Sequence, residues 1–485
     1  MGGKKSLKKN YIYNAIYQLL NLFTPLITMP YVSRVLKADG VGAYSFAGSI
    51  VNYFALFASM GIASYGRRET SYYQDDRTQR SVIFWNLKCL AAINVSVSLA
   101  LYLTMTKIYS GANFIIYLIL SLNIINVAVE VTWFFSGLEE FNKIVTKNII
   151  VRIVHITFIF TFVKTKNDLP AYVFSSVFFS VMSNVVLFIF LPKYIDKPDL
   201  KSINPFHDIK IIWMLFVPAI AVEVYTVLDK TMIGIITEGT FENGYYEQSL
   251  RVSRVVLALI TSLGTVVGPR VGYLFFNNER DKISYYLYTS YRFVLCLGIP
   301  LCFGLIGISD NFVPWFFGSG FEKVASLIKI TSFLILVVGL SSTTASQYLI
   351  PTKRHNIFTM AVIVGAIVNF TLNIFFIRRF QSYGAIAASL IAETAIALVE
   401  IYNVRKEISF LRIIACGKNY YIAGIIMLCV VWVMGRNLAP SIINTFTMIL
   451  AGAIVYPVML MVLRDEFFTE QVRSSLASIR QRLHV

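Results

Sequence analysis

Residues 11–36 read YIYNAIYQLLNLFTPLITMPYVSRVL, and this stretch decides the class of fold. It contains no charged side chain before Arg34 and exceeds the roughly 20 residues that an α-helix needs to cross the hydrocarbon core of a bilayer. Open β-sheets leave unpaired backbone groups in lipid, and the run is about twice as long as a barrel strand. The sequence therefore predicts an all-α polytopic membrane protein.

Similar apolar blocks recur along the whole chain of 485 residues, of which 56% are apolar and 14% are charged. About a quarter of the residues of a soluble domain would be charged. The blocks predict about 14 transmembrane helices, at residues 11–36, 40–66, 81–106, 112–136, 143–163, 169–192, 209–236, 243–275, 283–307, 324–350, 356–377, 383–404, 414–435 and 440–463. The five scattered cysteines predict neither a metal site nor a disulfide framework, and we expect no cofactor.

The basic residues indicate the orientation of these helices. If the N-terminus is cytoplasmic, the inner connections carry 26 Lys and Arg residues and the outer connections carry nine. Lys and Arg accumulate on the cytoplasmic side of membrane proteins, so this bias supports both the orientation and the even number of crossings. We expect both termini to face the cytoplasm. The net charge of +17 is then explained by Lys and Arg in the cytoplasmic connections, and it does not indicate nucleic-acid binding.

The two halves of the chain carry corresponding features. Pro25 lies in the first block and Pro218 in the seventh, and a glycine followed by a tyrosine comes after each block. This pattern predicts two six-helix bundles related by pseudo-two-fold symmetry, plus two C-terminal helices, although unrelated apolar helices also resemble one another. The predicted organisation is an N-terminal lobe at 1–192, a cytoplasmic linker at 193–208, a C-terminal lobe at 209–408, appended helices at 409–463 and an amphipathic cytoplasmic tail at 464–485.

Three prolines in corresponding first helices predict a gate. Proline removes a helical hydrogen bond and permits a bend, which a helix that opens and closes a pathway requires. The candidates are Pro25, Pro30 and Pro218.

Eight basic residues fall inside predicted helices, where each costs about 2.5 to 3.5 kcal/mol at the bilayer centre. Arg251 and Arg254 are three residues apart, hence on one helix face, and could clamp a phosphate. Arg152 beside His155 is a third candidate and Arg34 a fourth. The alternatives are a salt-bridge network for the arginine pair, a structural role for Arg152 and interfacial anchoring for Arg34. Four others are expected to reach an interface with their long side chains: Lys88, Arg270, Arg292 and Lys329.

The acidic residues inside predicted helices are fewer than the basic ones. Glu223 and Asp229 could couple transport to a Na⁺ or H⁺ gradient, or could be counter-charges for Lys230 and the arginines. The sequence leaves both interpretations open.

Several stretches resemble the Wzx family of bacterial oligosaccharide flippases, within the multidrug/oligosaccharidyl-lipid/polysaccharide exporter superfamily. They are Tyr13 to Leu36, Gly40-Val-Gly-Ala-Tyr-Ser-Phe46, Gly66-Arg-Arg-Glu69 and Trp133-Phe-Phe-Ser-Gly-Leu-Glu-Glu-Phe141. The resemblance implies a transporter, not an enzyme, that moves undecaprenyl-pyrophosphate-linked oligosaccharide repeat units from the inner to the outer leaflet of a bacterial cytoplasmic (inner) membrane. It also implies alternating access through a cationic cavity between the lobes. The implied partners are the lipid-linked oligosaccharide, membrane lipids, a polysaccharide polymerase and a chain-length regulator.

Two other functions compete with this hypothesis. A cation-coupled multidrug extruder of the same superfamily would carry an excess of acidic over basic residues in its cavity, and the helices here contain more basic ones. A membrane-embedded polysaccharide polymerase would be expected to carry a long external loop or an acidic metal-nucleotide motif, and the sequence shows neither.

Overall fold

The computed structural model describes residues 7–109, 113–198, 201, 203–262 and 264–471, with side chains from residue 24 onward except at 217–219, 221, 222, 224, 225, 265 and 266. Within these ranges the chain forms helices and turns but no strand, so the all-α fold class is confirmed. The helices are α1 (Leu7–Ser59), α2 (Ile62–Tyr72), α3 (Arg77–Tyr109), α4 (Phe114–Val129), α5 (Thr132–Gly137), α6 (Phe141–Phe162), α7 (Leu169–Phe188), α8 (Ile209–Ile236), α9 (Phe241–Thr261), α10 (Gly264–Phe276), α11 (Arg280–Phe317), α12 (Glu322–Thr344), α13 (His355–Phe380), α14 (Ser382–Asn403), α15 (Phe410–Cys416), α16 (Lys418–Asn437) and α17 (Ile442–Val462). A π-helical turn, Ala345–Leu349, continues α12.

The long helix α1 contains the first two predicted helices, which meet at Lys37. This residue has φ 59° and ψ 179°, so its backbone is not helical. A positive φ is uncommon for a residue with a side chain, because the Cβ atom crowds the backbone. Met60 and Gly61 also have positive φ and separate α1 from α2. The predicted second helix, 40–66, therefore ends earlier, at Ser59.

Eleven helical stretches of the described chain are long and apolar enough to cross a membrane. Helices α8 to α10 occupy the predicted seventh and eighth positions, where the structure divides the predicted helix 243–275 between α9 and α10. The count of fourteen crossings stays a prediction. Many large apolar side chains point outward, as a lipid environment favours, among them Trp432, Ile443 and Leu450.

The chain divides into two compact units, residues 1–244 and 245–485. In the first unit, α1 packs against α3, α4, α6 and α8. Helix α8 belongs to this unit because Thr231 donates a hydrogen bond to Ser49 at 2.9 Å and Gly234 lies against the Phe46 ring. The predicted boundary, the linker at 193–208, precedes α8, whereas the compact units divide after it. The predicted lobes rest on the sequence repeat and stay a prediction.

In the second unit, α11 packs against α12, α16 and α17. Glycines permit close approach at this contact, since a Cβ atom at Gly307 would lie 2.7 Å from Val431. The Tyr456 hydroxyl of α17 donates to the Cys296 carbonyl of α11 at 2.8 Å. The two helices predicted as an appended pair, α16 and α17, are thus fixed to α11 by both packing and hydrogen bonding.

The predicted cytoplasmic tail begins on the surface of the second unit. Phe467 is buried, and the Arg292 guanidinium lies 5.2 Å from its ring centroid. Asp465 accepts hydrogen bonds from Asn419 at 3.1 Å and Tyr420 at 3.3 Å. The first residues of the tail therefore pack on protein. Residues 472–485, the remainder of the predicted amphipathic tail, lie outside the described residues.

Candidate functional site

A polar cavity of about 480 Å³ lies within the first unit, among α4, α5, α6 and α7. Its size falls within the range of ordinary small-molecule sites, roughly 300 to 1,000 Å³. Its lining includes cations, amides and hydroxyls: Glu130, Thr132, Lys147, Asn148, Val151, Arg152, His155, Ser176, Phe179, Ser180, Ser183 and Asn184. Of the residues that the sequence predicts for substrate binding, Arg152 is the one that lines this cavity.

One wall of the cavity is a break in the fourth spanning segment. Helix α4 ends at Val129, and Glu130 is extended, with φ −67° and ψ 119°, before α5 begins at Thr132. A helix end leaves carbonyl groups without intrahelical partners. The Lys88 ammonium, on α3, donates to the Ala128 carbonyl at 2.9 Å and to the Glu130 carbonyl at 2.6 Å. Its positive charge therefore sits at the negative end of the α4 dipole.

This position corrects the expectation that Lys88 reaches an interface. The ammonium is satisfied inside the bundle, and it also interacts electrostatically with the Glu130 carboxylate. The break in the fourth spanning segment supplies the carbonyl acceptors, and the amino-acid composition of that segment does not predict the break. Lys88 is thus a structural cation of the cavity wall.

A second buried cation, Lys147 on α6, belongs to a network of amides and hydroxyls. Only 6% of its surface is exposed, and its ammonium donates to the Asn184 side chain at 3.3 Å. The Asn184 amide donates to Asn126 at 2.9 Å, and Asn126 donates to Ser180 at 3.1 Å. Because these amides and hydroxyls both donate and accept, the cavity presents the hydrogen-bonding groups that sugar hydroxyls require.

Arg152 and His155 continue the same face of α6. His155 lies 3.3 Å from the Ser175 hydroxyl, and its ring centroid is 5.2 Å from that of Phe179. Arg152 is half-buried and interacts electrostatically with His155. Together with Lys147, Arg152 gives the cavity two cationic groups that can donate charge-assisted hydrogen bonds to an anion.

The cavity-lining face of α6 forms a polar stripe that is visible in the sequence. The count of 26 basic residues in the inner connections includes Lys147, because it lies near the start of its predicted helix. The five lining residues of α6 nevertheless recur at helical spacing: Lys147, Asn148, Val151, Arg152 and His155. Such a stripe within an apolar helix marks a face turned toward a polar interior. It would have grouped Lys147 with Arg152.

The arginines predicted on the eighth helix lie on α9, in the second unit. The Arg251 guanidinium donates to the Glu247 carboxylate at 2.6 Å, and the side chains are 32% and 8% exposed. Glu247 is the i−4 partner that the salt-bridge alternative requires. Arg254 lies three residues further along α9 and is exposed. Arg251 is thus paired with a carboxylate, and the phosphate clamp stays a prediction for both arginines.

The remaining predicted residues are distributed over α1 and α8. Arg34 is exposed and lies three residues before the break at Lys37. Asp229 is buried, Lys230 is half-buried and Glu223 is exposed. Asp229 interacts electrostatically with Tyr53 of α1. The coupling or counter-charge role of these α8 residues stays a prediction.

The predicted gate prolines lie inside continuous helix. Pro25 and Pro30 are within α1, whose only non-helical residue is Lys37. Pro218 lies within α8, and its side chain is outside the described residues. The observed break in the first helix is therefore at Lys37, where a positive φ redirects the backbone, while bending at the prolines remains a prediction.

Comparisons with known proteins agree on the class of molecule. Residues 7–275 match the model of a family described as polysaccharide biosynthesis protein. A putative O-antigen transporter of Escherichia coli is 21% identical over 409 residues, which cover 83% of this chain and 98% of that protein. A probable low-salt glycan biosynthesis flippase of Haloferax volcanii is 21% identical over 437 residues, covering 88% and 89% of the two chains.

Two solved structures share the fold. The structure of the Lipid II flippase MurJ in an inward closed conformation superposes with a TM-score of 0.72 at 15% identity, covering 94% of this chain and 99% of that chain. A MATE structure in the bent conformation superposes with a TM-score of 0.51 at 13% identity, covering 82% and 98%. The chain therefore has the fold of multi-pass membrane transporters.

Proposed function

Because the chain belongs to the polysaccharide biosynthesis protein family, we propose that it is a flippase for lipid-linked oligosaccharides. In this proposal undecaprenyl pyrophosphate carries the repeat unit, which moves from the inner to the outer leaflet of the bacterial cytoplasmic membrane. The proteins with similar sequences are named as a transporter and a flippase, which supports the conclusion that this chain is a transporter and not an enzyme. The observation on which the proposal depends is the cationic polar cavity of the first unit.

The cavity combines two kinds of group that such a cargo needs. Lys147 and Arg152 offer ammonium and guanidinium donors to pyrophosphate oxygens, and Asn148, Asn184 and Ser180 offer hydrogen bonds to sugar hydroxyls. A cation inside a membrane bundle is costly, about 2.5 to 3.5 kcal/mol on insertion scales. An anionic cargo would offset this cost each time it enters.

The transport cycle is part of the same proposal. We expect alternating access between two lobes, with a polyprenyl tail that stays in lipid while the polar headgroup crosses. Arg34, Arg251 and Arg254 are retained as further contacts for the headgroup, and the breaks at Lys37 and Glu130 as the places where helices change direction. Both termini are placed in the cytoplasm by the distribution of basic residues, and a polymerase and a chain-length regulator are the expected partners.

Depletion of the protein tests this function directly. Mass spectrometry of the lipid fraction should show a lipid-linked oligosaccharide that accumulates on the inner leaflet as the protein is lost. Loss of one charged hydrogen bond costs about 1.5 to 3 kcal/mol, so Lys147→Ala and Arg152→Ala should each reduce export roughly tenfold to a hundredfold. Lys329→Ala is the matched control, because Lys329 pairs with the exposed Asp310 at 2.7 Å, away from the cavity.

Three outcomes would contradict the proposal or the role of its cavity. If no lipid-linked oligosaccharide accumulates on depletion, the protein does not flip that class of cargo. If a cationic drug accumulates in depleted cells instead, the multidrug extruder is the better hypothesis. Full export by both cavity variants, at normal protein level in the membrane, would show that the cavity cations are structural.

A further inference from the structure

A buried carboxylate lies in the second unit, far along the chain from the cavity described above, and has no basic partner among the residues that the structure describes. Glu400, on α14, has no exposed surface. The Ser341 hydroxyl of α12 donates to one of its oxygens at 2.8 Å, and within the described ranges its other oxygen has no hydrogen-bond partner. Glu400 is three residues from the end of α14, which the distribution of basic residues places at the cytoplasmic side.

The groups that face Glu400 do not neutralise a negative charge. Glu393, on the same helix, interacts with it as a like charge. Tyr291 of α11 interacts with it electrostatically, and the Tyr291 hydroxyl is already hydrogen-bonded to Thr344 of α12 at 2.8 Å. From α13, which also packs on α14, no titratable group interacts with Glu400 in the part of the chain that the structure describes.

An ionised carboxylate at such a position is strongly disfavoured. Burial removes the water that would solvate it, and a single hydroxyl donor replaces only a small part of that solvation. A proton on the carboxyl group removes the charge altogether. The surroundings of Glu400 therefore favour the protonated acid, a form that can exchange a proton with water when the bundle opens.

Helix α12, which carries the hydroxyl donor Ser341, becomes irregular one turn after this residue. Immediately after Thr344, α12 continues as the π-helical turn Ala345–Leu349. Such turns are rare and often lie at functional sites, because they can change the register of a helix. Gly268 of α10 packs closely against this turn, because a Cβ atom at Gly268 would lie 3.0 Å from the Ser346 carbonyl oxygen.

An ionic contact lies beyond the end of α14, next to the π-helical turn. The Arg354 guanidinium donates two hydrogen bonds to the Glu407 carboxylate, each 2.7 Å long. Tyr348, in the π-helical turn, donates to the same carboxylate. Val404, one turn after Glu400, and Ile408 are both buried. Along the chain, the buried Val404 thus lies between Glu400 and the carboxylate of the ion pair.

We propose that Glu400 is a proton-binding site, loaded in the described conformation and emptied when the contact between Arg354 and Glu407 opens. The step is a simple exchange, in which the carboxylate takes up one proton to become a carboxylic acid and later returns it to water. The role of this site in driving transport rests on the proposed flippase function, whereas proton binding itself does not. This assigns proton coupling to Glu400, while the role of Glu223 and Asp229 stays a prediction.

Infrared spectroscopy of the full-length protein in lipid nanodiscs tests proton binding without any cargo. At pH 7 the wild-type protein should show the carbonyl stretching band of a buried protonated carboxyl group, and Glu400→Gln should lack it. Glu393→Gln is the matched control, since it removes a half-buried acid from the same helix and should leave the band in place. A wild-type spectrum without such a band at pH 7 would overturn the proposal, whether or not the variant folds. So would a band that persists in Glu400→Gln.

Transport in proteoliposomes separates the proposal from the flippase function. A pH gradient should stimulate movement of a lipid-linked oligosaccharide several-fold in the wild type, with no stimulation in Glu400→Gln. Equal stimulation of both proteins would refute the coupling role while leaving the flippase function intact. If depletion of the protein causes no cargo to accumulate, the flippase function fails instead, and the infrared result still decides whether Glu400 binds a proton.

Discussion

Replacement of Gly42 by alanine should separate α1 from the turn that precedes α9. A Cβ atom at Gly42 would lie 2.7 Å from the Thr240 carbonyl carbon and 2.8 Å from the Gly244 nitrogen. Both neighbours are backbone atoms, which cannot rotate away as the end of a side chain can. The turn is also tied to α1 by the Thr240 hydroxyl, which donates to the Asp39 carbonyl at 2.9 Å. Alanine therefore fits only if the backbones move apart.

The size of the effect follows from two opposing contributions. Alanine in place of glycine in a helix stabilises by about 0.5 to 1 kcal/mol, whereas overpacking of a tight contact costs about 1 to 3 kcal/mol. Because the clash involves backbone, the cost should lie at the upper end of its range. We expect a net loss of about 2 kcal/mol for Gly42→Ala.

Gly48 provides a matched control on the same helix, since a Cβ atom there would meet nothing within 4 Å. Gly48→Ala should stabilise by about 0.5 to 1 kcal/mol. The assay is the thermal unfolding midpoint of the two variants and the wild type in one detergent, together with export in cells. Equal midpoints for both variants would refute the reasoning, because the tight contact at Gly42 would then not constrain the folded protein.

Two further predictions concern charged groups. Lys88→Met removes two charged hydrogen bonds to the carbonyls at the end of α4, each worth about 1.5 to 3 kcal/mol. The substitution also relieves the cost of burying the ammonium, about 2.5 to 3.5 kcal/mol. The middle of these ranges leaves a net loss of about 1 to 2 kcal/mol, which should lower the thermal unfolding midpoint. An unchanged midpoint would show that the ammonium does not hold the helix break. The hydrogen bonds from Arg354 lower the pKa of Glu407. This ion pair therefore stabilises the fold fully at pH values above the pKa of an unfolded glutamate, about 4.3. Its contribution is lost as the pH falls through the lower pKa of the folded state. The midpoint difference between wild type and Glu407→Gln should therefore be present at pH 7 and shrink in acid, and a difference that grows in acid would contradict this assignment.

The sequence could predict the membrane fold because the constraint that lipid imposes acts on each segment of the chain separately. An apolar block of about 20 residues must be a helix in a bilayer. The long helices α11, α13 and α14 accordingly coincide with apolar blocks. The breaks were less predictable, since Lys37 and Met60 have positive φ although neither residue type favours it. The residue type at these two positions therefore gives no warning of the break.

The candidate site was predictable only in part, and for a related reason. Arg152 was identified because a cation in the middle of an apolar block is costly wherever it points. Lys147 was missed because it lies near a helix end, where a sequence cannot distinguish a side chain that reaches water from one that turns inward. Arg251 shows the same limit, since its pairing with Glu247 was one of two alternatives that spacing allowed.

By itself, therefore, the sequence determined that this chain lies in a membrane as a series of helices and that some of them carry unusual charge, because hydrophobicity and charge are properties of single residues. The tertiary structure decided which charges meet. It brought Lys88 to the carbonyls of a broken helix, gathered Lys147 and Arg152 around one cavity and buried Glu400 with no cation beside it in the described part of the chain. These arrangements depend on distances between atoms of different helices, which no pattern along one helix specifies.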